Sequence, residues 1–450
     1  MLESPTMSRR MSKKQAIMMI NGVLAAAVAL ALLDHPPAVG AQQRAHSEIE
    51  SISVSADQTL TYPDAAPVPY LNFFPDEHMT FLPPASSSSP YLVFGASTVT
   101  GTSIYGFAVV LESTDLKTFD FATAQGYPLI VLTVPALGTP AQGYCDPTYL
   151  TEFDTSYAAP GFVAQDPTLP AGNLVMVYEA ENHCVGGAYN GADGYASVGF
   201  TRSSNNGITW PEPETGPLGG PDRYPVLQSF TTPPTTAAPA VGNLAGAGFV
   251  DKSLDGNYYL YVTYQVPGVA EPEFRVGRGA LGHNPVSFMK WSNGSFSQPG
   301  LGGTDTPVVS SACAGHHGQA SIYYVDDVNT YLMTFVCFTG TSSAWYYSTA
   351  TSLDIQDWTK PQMILNSQYP EANTSNCGPT TDGFFPSFMS PGAASGHLTL
   401  EGTVFLTNGC LLGARTFTSR TFTITTKRDH HGVPLKDSGR GGTGLTSQAP

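Results

Sequence analysis

Short runs of apolar, β-branched and aromatic residues, each closed by polar turn residues, recur in groups along most of the chain. The clearest group lies between Cys313 and Thr359, where "GQASIYYVDD", "NTYLMTFVCF" and "SAWYYSTATS" follow one another and "LDIQDWTKP" closes the set. Runs of this length and composition, separated by tight turns, predict three short antiparallel strands with a fourth edge strand beyond. The pattern repeats. "HMTFLPP", "YLVFGAS" and "GFAVVLESTDLKTF" form a first group, and "PTYLTEF", "NLVMVYEAE" and "YASVGFTRSSNNGITW" a second. "GAGFVDK", "YYLYVTYQV", "FRVGRGAL" and "FMKWSNGSF" form a third, the opening set is the fourth, and "FPSFMSP", "TVFLTNGC" and "RTFTSRTFTI" form a fifth. A repeat of roughly 45 to 80 residues with this content fits propeller blades better than a solenoid. The fold class predicted is therefore all-β, a five-bladed β-propeller in a single domain over residues 47–426. "ISVSADQTL" near residue 52 supplies a missing outer strand to the last blade and so closes the ring.

Composition sharpens this picture. In 450 residues there are 46 Gly and 37 Pro with 12% charge, a turn-rich chain without long helical periodicity. Residues 1–41 stand apart: "MSRRMSKKQ" is a basic start, "AIMMINGVLAAAVALALL" an apolar core and "PPAVGA" a small-residue end, the layout of a secretory signal rather than a membrane anchor. Without them 15 basic and 33 acidic residues remain, a net charge of −18, which argues against nucleic acid and membrane as partners. The expectation is a monomer secreted outside the cell or into a periplasm. The segment 427–450 is poor in apolar residues, with Val433, Leu435 and Leu445 scattered singly, and is expected to be a disordered tail.

Six cysteines, an even number in a chain expected to be exported, point to a disulfide framework. Cys145, Cys313 and Cys377 each precede a first strand, and Cys184, Cys337 and Cys410 each end a second, so the pairs expected are Cys145–Cys184, Cys313–Cys337 and Cys377–Cys410, at about 2–4 kcal/mol each.

Several short motifs resemble a known superfamily. "SSNNGITW" at Ser203–Trp210 looks like the Asp-box of sialidase-type propellers, with Asn205 or Asn206 in place of the Asp. "STDLKTF" at Ser113 and "SLDIQDWTKP" at Ser352 resemble blade turns of five-bladed glycosidases related to glycoside hydrolase family 43, and "GHHGQASIYYVDD" at Gly315 resembles an inner strand of that superfamily. The resemblance implies a glycoside hydrolase with a base Asp opening blade one, a pKa-tuning Asp opening blade two and an acid Glu opening blade three. Asp76 and Asp146 match the first two. "PAVGNLAGAGF" carries no Glu, so the acid role passes to Glu179 or Glu181 in "YEAENH". Two carboxyls of opposite protonation are what glycosidic hydrolysis requires.

Expected to meet the sugar at the mouth of the ring are Phe74, Glu77, Asn182, His183, Gln319, Asp382 and Phe385. The resemblance also implies that His316 or His317 faces the axial channel and helps hold a hydrated cation such as Ca²⁺ there; no other cofactor is expected. The rival reading is a non-catalytic, lectin-like carbohydrate-binding propeller. A sialidase requires three Arg in the funnel, whereas Arg202, Arg223, Arg275, Arg278, Arg415 and Arg420 fall mostly on third strands, away from the axis.

Overall fold

A computed structural model of the chain describes residues 48–63, 71–73, 77–99, 106–124, 127–132, 152–185, 194–211, 222–232, 241–266, 273–310, 316–317, 320–339, 342–367, 384–409 and 415–427. The described elements are all strands, arranged as a five-bladed β-propeller. Blade one runs outward through Thr80–Leu82, Tyr91–Val99 and Gly106–Ser113 to the short outer pieces Asp120–Phe121 and Ile130–Leu132. Blade two comprises Tyr157–Gln165, Leu174–Asn182, Tyr195–Ser203 and Arg223–Leu227. Blade three comprises Leu244–Lys252, Tyr258–Gln265, Glu273–Ala280 and Phe288–Ser292, with Ser295–Pro299 added outside. Blade four comprises Ser321–Val325, Thr330–Thr339, Ser342–Ala350 and Gln362–Ser367. In blade five, Phe384–Met389, Glu401–Gly409 and Arg415–Thr426 are completed by Ile49–Val54, which pairs antiparallel with the last strand, Ser53 opposite Thr423.

The strands read as near-continuous apolar runs because both faces of each blade are buried. In blade four, Tyr323, Val325, Leu332, Val336, Trp345 and Tyr347 pack with Phe385, Phe388 and Phe422 of blade five. The alternate residues Ile322, Tyr331, Met333, Phe335 and Cys337 pack with Phe249, Tyr261 and Phe274 of blade three. The same two-residue alternation builds comparable clusters between blades one and two, two and three, and five and one. The core is therefore distributed among the gaps between blades.

One predicted strand is corrected. Of the expected run "PTYLTEF" only Glu152 and Phe153 are among the described residues, and they lie in a non-strand segment, 152–156; the inner strand is Tyr157–Gln165, "YAAPGFVAQ". Its Pro and small residues suggest a loop in sequence, but the pairing with Leu174–Asn182 shifts register between Pro160 and Phe162, which accommodates the Pro. The axis is crowded at this point. A Cβ on Gly161 would lie 2.8 Å from the carbonyl oxygen of Gly246 on the neighbouring inner strand.

Turns of two kinds hold the blade edges. At Ser203–Trp210, Ser203 Oγ accepts from Gly207 N at 3.0 Å, Asn205 Oδ1 accepts from Thr209 N at 3.0 Å, and Trp210 Nε1 donates to the Gly207 carbonyl at 2.9 Å. Asn205 thus makes the acceptor contacts, while Asn206 takes the left-handed conformation at φ 60°. At Ser113–Phe119, Asp115 Oδ1 accepts from Lys117 N and Thr118 N at 2.8 and 2.7 Å; these bonds hold the Asp115 carboxyl below its usual range.

Candidate active site

The inner strands start at one end of the ring, and there blade one is tied across the axis to blades four and five. His78 Nδ1 and Ser321 Oγ share a hydrogen bond of 3.0 Å, and Met79 N donates to Ser387 Oγ at 2.8 Å. The His78 ring meets the edge of Phe385 at 5.7 Å between centroids. Glu77 and His78 are each about 1% exposed. Phe385, buried in the cluster between blades four and five, has φ 50° and sits where the pairing with Glu401–Gly409 shifts register. Left-handed backbone on an aromatic residue costs of order 1–2 kcal/mol, and such strain concentrates at functional sites. His78 was not singled out from sequence. Its only signal was its place directly before an apolar run.

Blade two supplies the next carboxylates. Glu179 pairs with Ala159 and Glu181 with Tyr157, so both stand where the second strand returns to this end. The odd positions Val175 and Val177 belong to the cluster shared with blade three, and the alternation carries Glu179 and Glu181 to the same side. Glu179 is 5% exposed. Glu181 is half-buried, with Oε2 at 2.8 Å from Nε2 of His183. Asn182 has a different task from the one expected of it. It is fully buried, its Nδ2 donates to the Glu152 carbonyl at 2.6 Å, and its Oδ1 accepts from Cys184 N at 2.8 Å. Its amide is engaged within the chain itself.

The segment before the inner strand of blade two carries a buried charged group that the sequence did not reveal. Asp154 Oδ2 accepts from Arg223 Nε at 2.7 Å and from the Tyr178 hydroxyl at 3.0 Å, and lies 2.6 Å from Arg223 Nη2. Both charged side chains are about 1% exposed, and the guanidinium lies 5.4 Å over the Tyr178 ring. Gly199, between Tyr178 and the outer strand, makes room for that ring. Arg223 is on an outer strand, as its position suggested, but it is buried. Glu152, two residues before Asp154, is 1% exposed with no hydrogen-bond partner for either carboxyl oxygen. Burial, and then the Asp154 charge, push its pKa up to about 7 against the opposing pull of Arg223.

Asp76, Asp146, Phe74, Gln319 and Asp382 lie outside the described residues, as do Cys145, Cys313, Cys377 and Cys410. Cys184 and Cys337 are buried, and no cysteine among the described residues is a free thiol. His316 and His317 form a short strand against Phe338 and Cys337, with side chains outside the description. Among the described residues no group of three or more His, Cys, Asp or Glu is arranged to hold a metal ion. Thr263 Oγ1 on blade three donates to the Ala247 and Ala320 carbonyls at 2.9 and 2.5 Å.

No family model matches the chain, and no curated protein matches it. Among solved structures it is similar to a protein of unknown function from Dyadobacter fermentans, at 10% identity over 84% of this chain and 100% of that one, TM-score 0.42. It is similar to the catalytic domain of a GH62 α-L-arabinofuranosidase from Coprinopsis cinerea, at 12% identity over 84% and 98%, TM-score 0.42. A glycosyl hydrolase from Bacteroides ovatus is similar at 13% identity over 83% and 96%, TM-score 0.43.

Proposed function

We propose that the chain is a secreted glycoside hydrolase that acts on a poly- or oligosaccharide at the mouth of the ring, by carboxylate acid/base catalysis. The observation that carries this reading is the burial of Glu77, next to His78 before the inner strand of blade one, and of Glu179, where the second strand of blade two returns to this end. Buried carboxylates near an opening are candidates for acid/base chemistry. Asp76, adjacent to Glu77, is assigned as the base, and Asp146 as the residue that tunes the acid. Of the two Glu candidates for the acid, Glu179 is preferred. Glu181 is engaged by His183 and its side chain is 21% exposed, whereas Glu179 is 5% exposed, and a site withdrawn from water suits a general acid. Disulfides Cys145–Cys184, Cys313–Cys337 and Cys377–Cys410 are proposed to brace the same end, and their support is the absence of a free thiol at Cys184 and Cys337. Asn182 is left out of the ligand-binding set because its amide is occupied.

The test is a screen of plant and microbial polysaccharides, arabinan and xylan first, for release of reducing sugar. Asp76→Asn and Glu179→Gln are each expected to lower turnover at least 100-fold while leaving glycan binding within a few-fold of wild type. If the wild-type chain binds glycans and releases nothing, the lectin-like reading replaces this one. Binding of none of them sets both aside.

A further inference from the structure

The mouth of blade two is built around Glu152, and the way this residue is held is unusual. Its main chain is anchored three times: the carbonyl oxygen accepts from Thr155 Oγ1 at 2.9 Å, from Asn182 Nδ2 at 2.6 Å and from the Tyr195 hydroxyl at 3.3 Å. Its side chain, by contrast, makes no hydrogen bond, although both carboxyl oxygens are shielded from solvent. An ionised carboxylate buried without partners is costly by several kcal/mol, and a neutral carboxylic acid much less so.

Among the described residues, the groups around it come from its own segment, the other strands of blade two and blade one. On its own segment Asp154 repels the ionised form; from the outer strand Arg223 opposes that effect but is already engaged by Asp154; Tyr178 and Tyr195 offer hydroxyls from the second and third strands. Blade one contributes only apolar side chains to this cluster among the described residues, including Phe94, Val110 and Leu132. The nearby cation is therefore shared, and the rest of the environment favours a neutral acid.

The anchors also link this residue to the site. Asn182, which grips the Glu152 carbonyl, follows Glu181 and holds Cys184 N. Ser156 N donates to the Glu181 carbonyl at 3.0 Å, and Ser156 Oγ accepts from His183 N at 3.0 Å. Segments 152–156 and 181–184 are thus laced together, and a displacement of one must move the other.

We propose that Glu152 is a proton-operated latch: it is neutral in the closed mouth of blade two, and its ionisation loosens segments 152–156 and 181–184 together. This inference does not depend on what the site binds or cleaves. The folded chain holds the Glu152 proton up to about pH 7, whereas the unfolded chain releases it near the ordinary value of 4.5. Stability from this group is therefore present in full below about 4.5, is lost as pH rises towards 7, and levels off above that.

The test compares wild type with Glu152→Gln by calorimetric melting from pH 4 to 9 and by hydrogen exchange of peptides covering 152–157 and 181–185. Wild type is expected to lose stability relative to the variant between pH 4.5 and 7, and to exchange at least 10-fold faster than the variant in those peptides at pH 8. Parallel melting profiles, or equal exchange at pH 8, overturn the latch. Should the variant fail to fold, wild type labelled with ¹³C at its glutamate carboxyls provides the decision: one resonance titrating near pH 7 supports the latch, and titration of all of them below pH 5 overturns it.

Discussion

Replacing Arg223 by Leu should damage this protein more than most single substitutions, and the size of the effect follows from the environment. The guanidinium is about 1% exposed, contacts Asp154 through Nε and Nη2 at 2.7 and 2.6 Å, and covers the Tyr178 ring. Leu leaves the Asp154 carboxylate buried with the Tyr178 hydroxyl as its remaining donor on this side. Breaking a buried pair in this way costs about 3–5 kcal/mol. For the span 48–427 an unfolding entropy of about 2.1 cal/mol/K per residue sums to roughly 0.8 kcal/mol/K, so the melting temperature should fall by about 4–6 °C. The substitution also removes the one cation that lowers the Glu152 pKa, so the loss should deepen from pH 5 to pH 8. Adding Asp154→Leu removes the stranded charge and should restore most of the stability, because apolar replacement of a buried pair is often neutral or better. Scanning calorimetry of the wild type, the single variant and the double variant measures all of this. A single variant that melts within about 1 °C of wild type, or a double variant no better than the single, would refute the reasoning.

Two further outcomes test how the ring is held. Ser387→Ala strands the Met79 amide, which Ser387 Oγ accepts at 2.8 Å in the buried mouth, and should cost about 1–3 kcal/mol in denaturant titration, with Ser387→Thr recovering part of the loss. Gly161→Ala places a methyl group 2.8 Å from the Gly246 carbonyl oxygen. Because that neighbour is backbone, the inner strands must separate, and a loss of about 1–3 kcal/mol is expected in the same titration.

The fold was legible where both faces of a strand are apolar and the turns are polar. In blade four the runs "NTYLMTFVCF" and "SAWYYSTATS" correspond closely to the strands Thr330–Thr339 and Ser342–Ala350. Legibility failed where the axis demanded small residues. "YAAPGFVAQ" has neither the bulk nor the alternation of its neighbours, yet it is the inner strand of blade two. Reading a strand through Phe153 conceals Glu152, which lies in the non-strand segment before Tyr157, and draws attention away from Asp154 just beyond it. The structural bonds of Asn182 are hidden in the sequence for a related reason. A polar residue near a strand end suggests a free amide, and only the fold shows the Glu152 carbonyl waiting for it. Glu179 and Glu181 were readable from their spacing alone, since alternate strand positions share a side.

The pairing of Ile49–Val54 with Arg415–Thr426 has a consequence for biosynthesis. Residues 370 apart in sequence, Ser53 and Thr423, must find one another before blade five is whole. At ribosomal speeds of about 5–20 residues per second, the early strand is translated roughly 20–70 s before its partner exists. For that interval it is an orphaned ribbon with exposed backbone donors and acceptors, open to mispairing with other nascent chains. The wheel is joined only when its final spoke emerges, so a ribosome stalled before residue 415 would hold an open, adhesive arc.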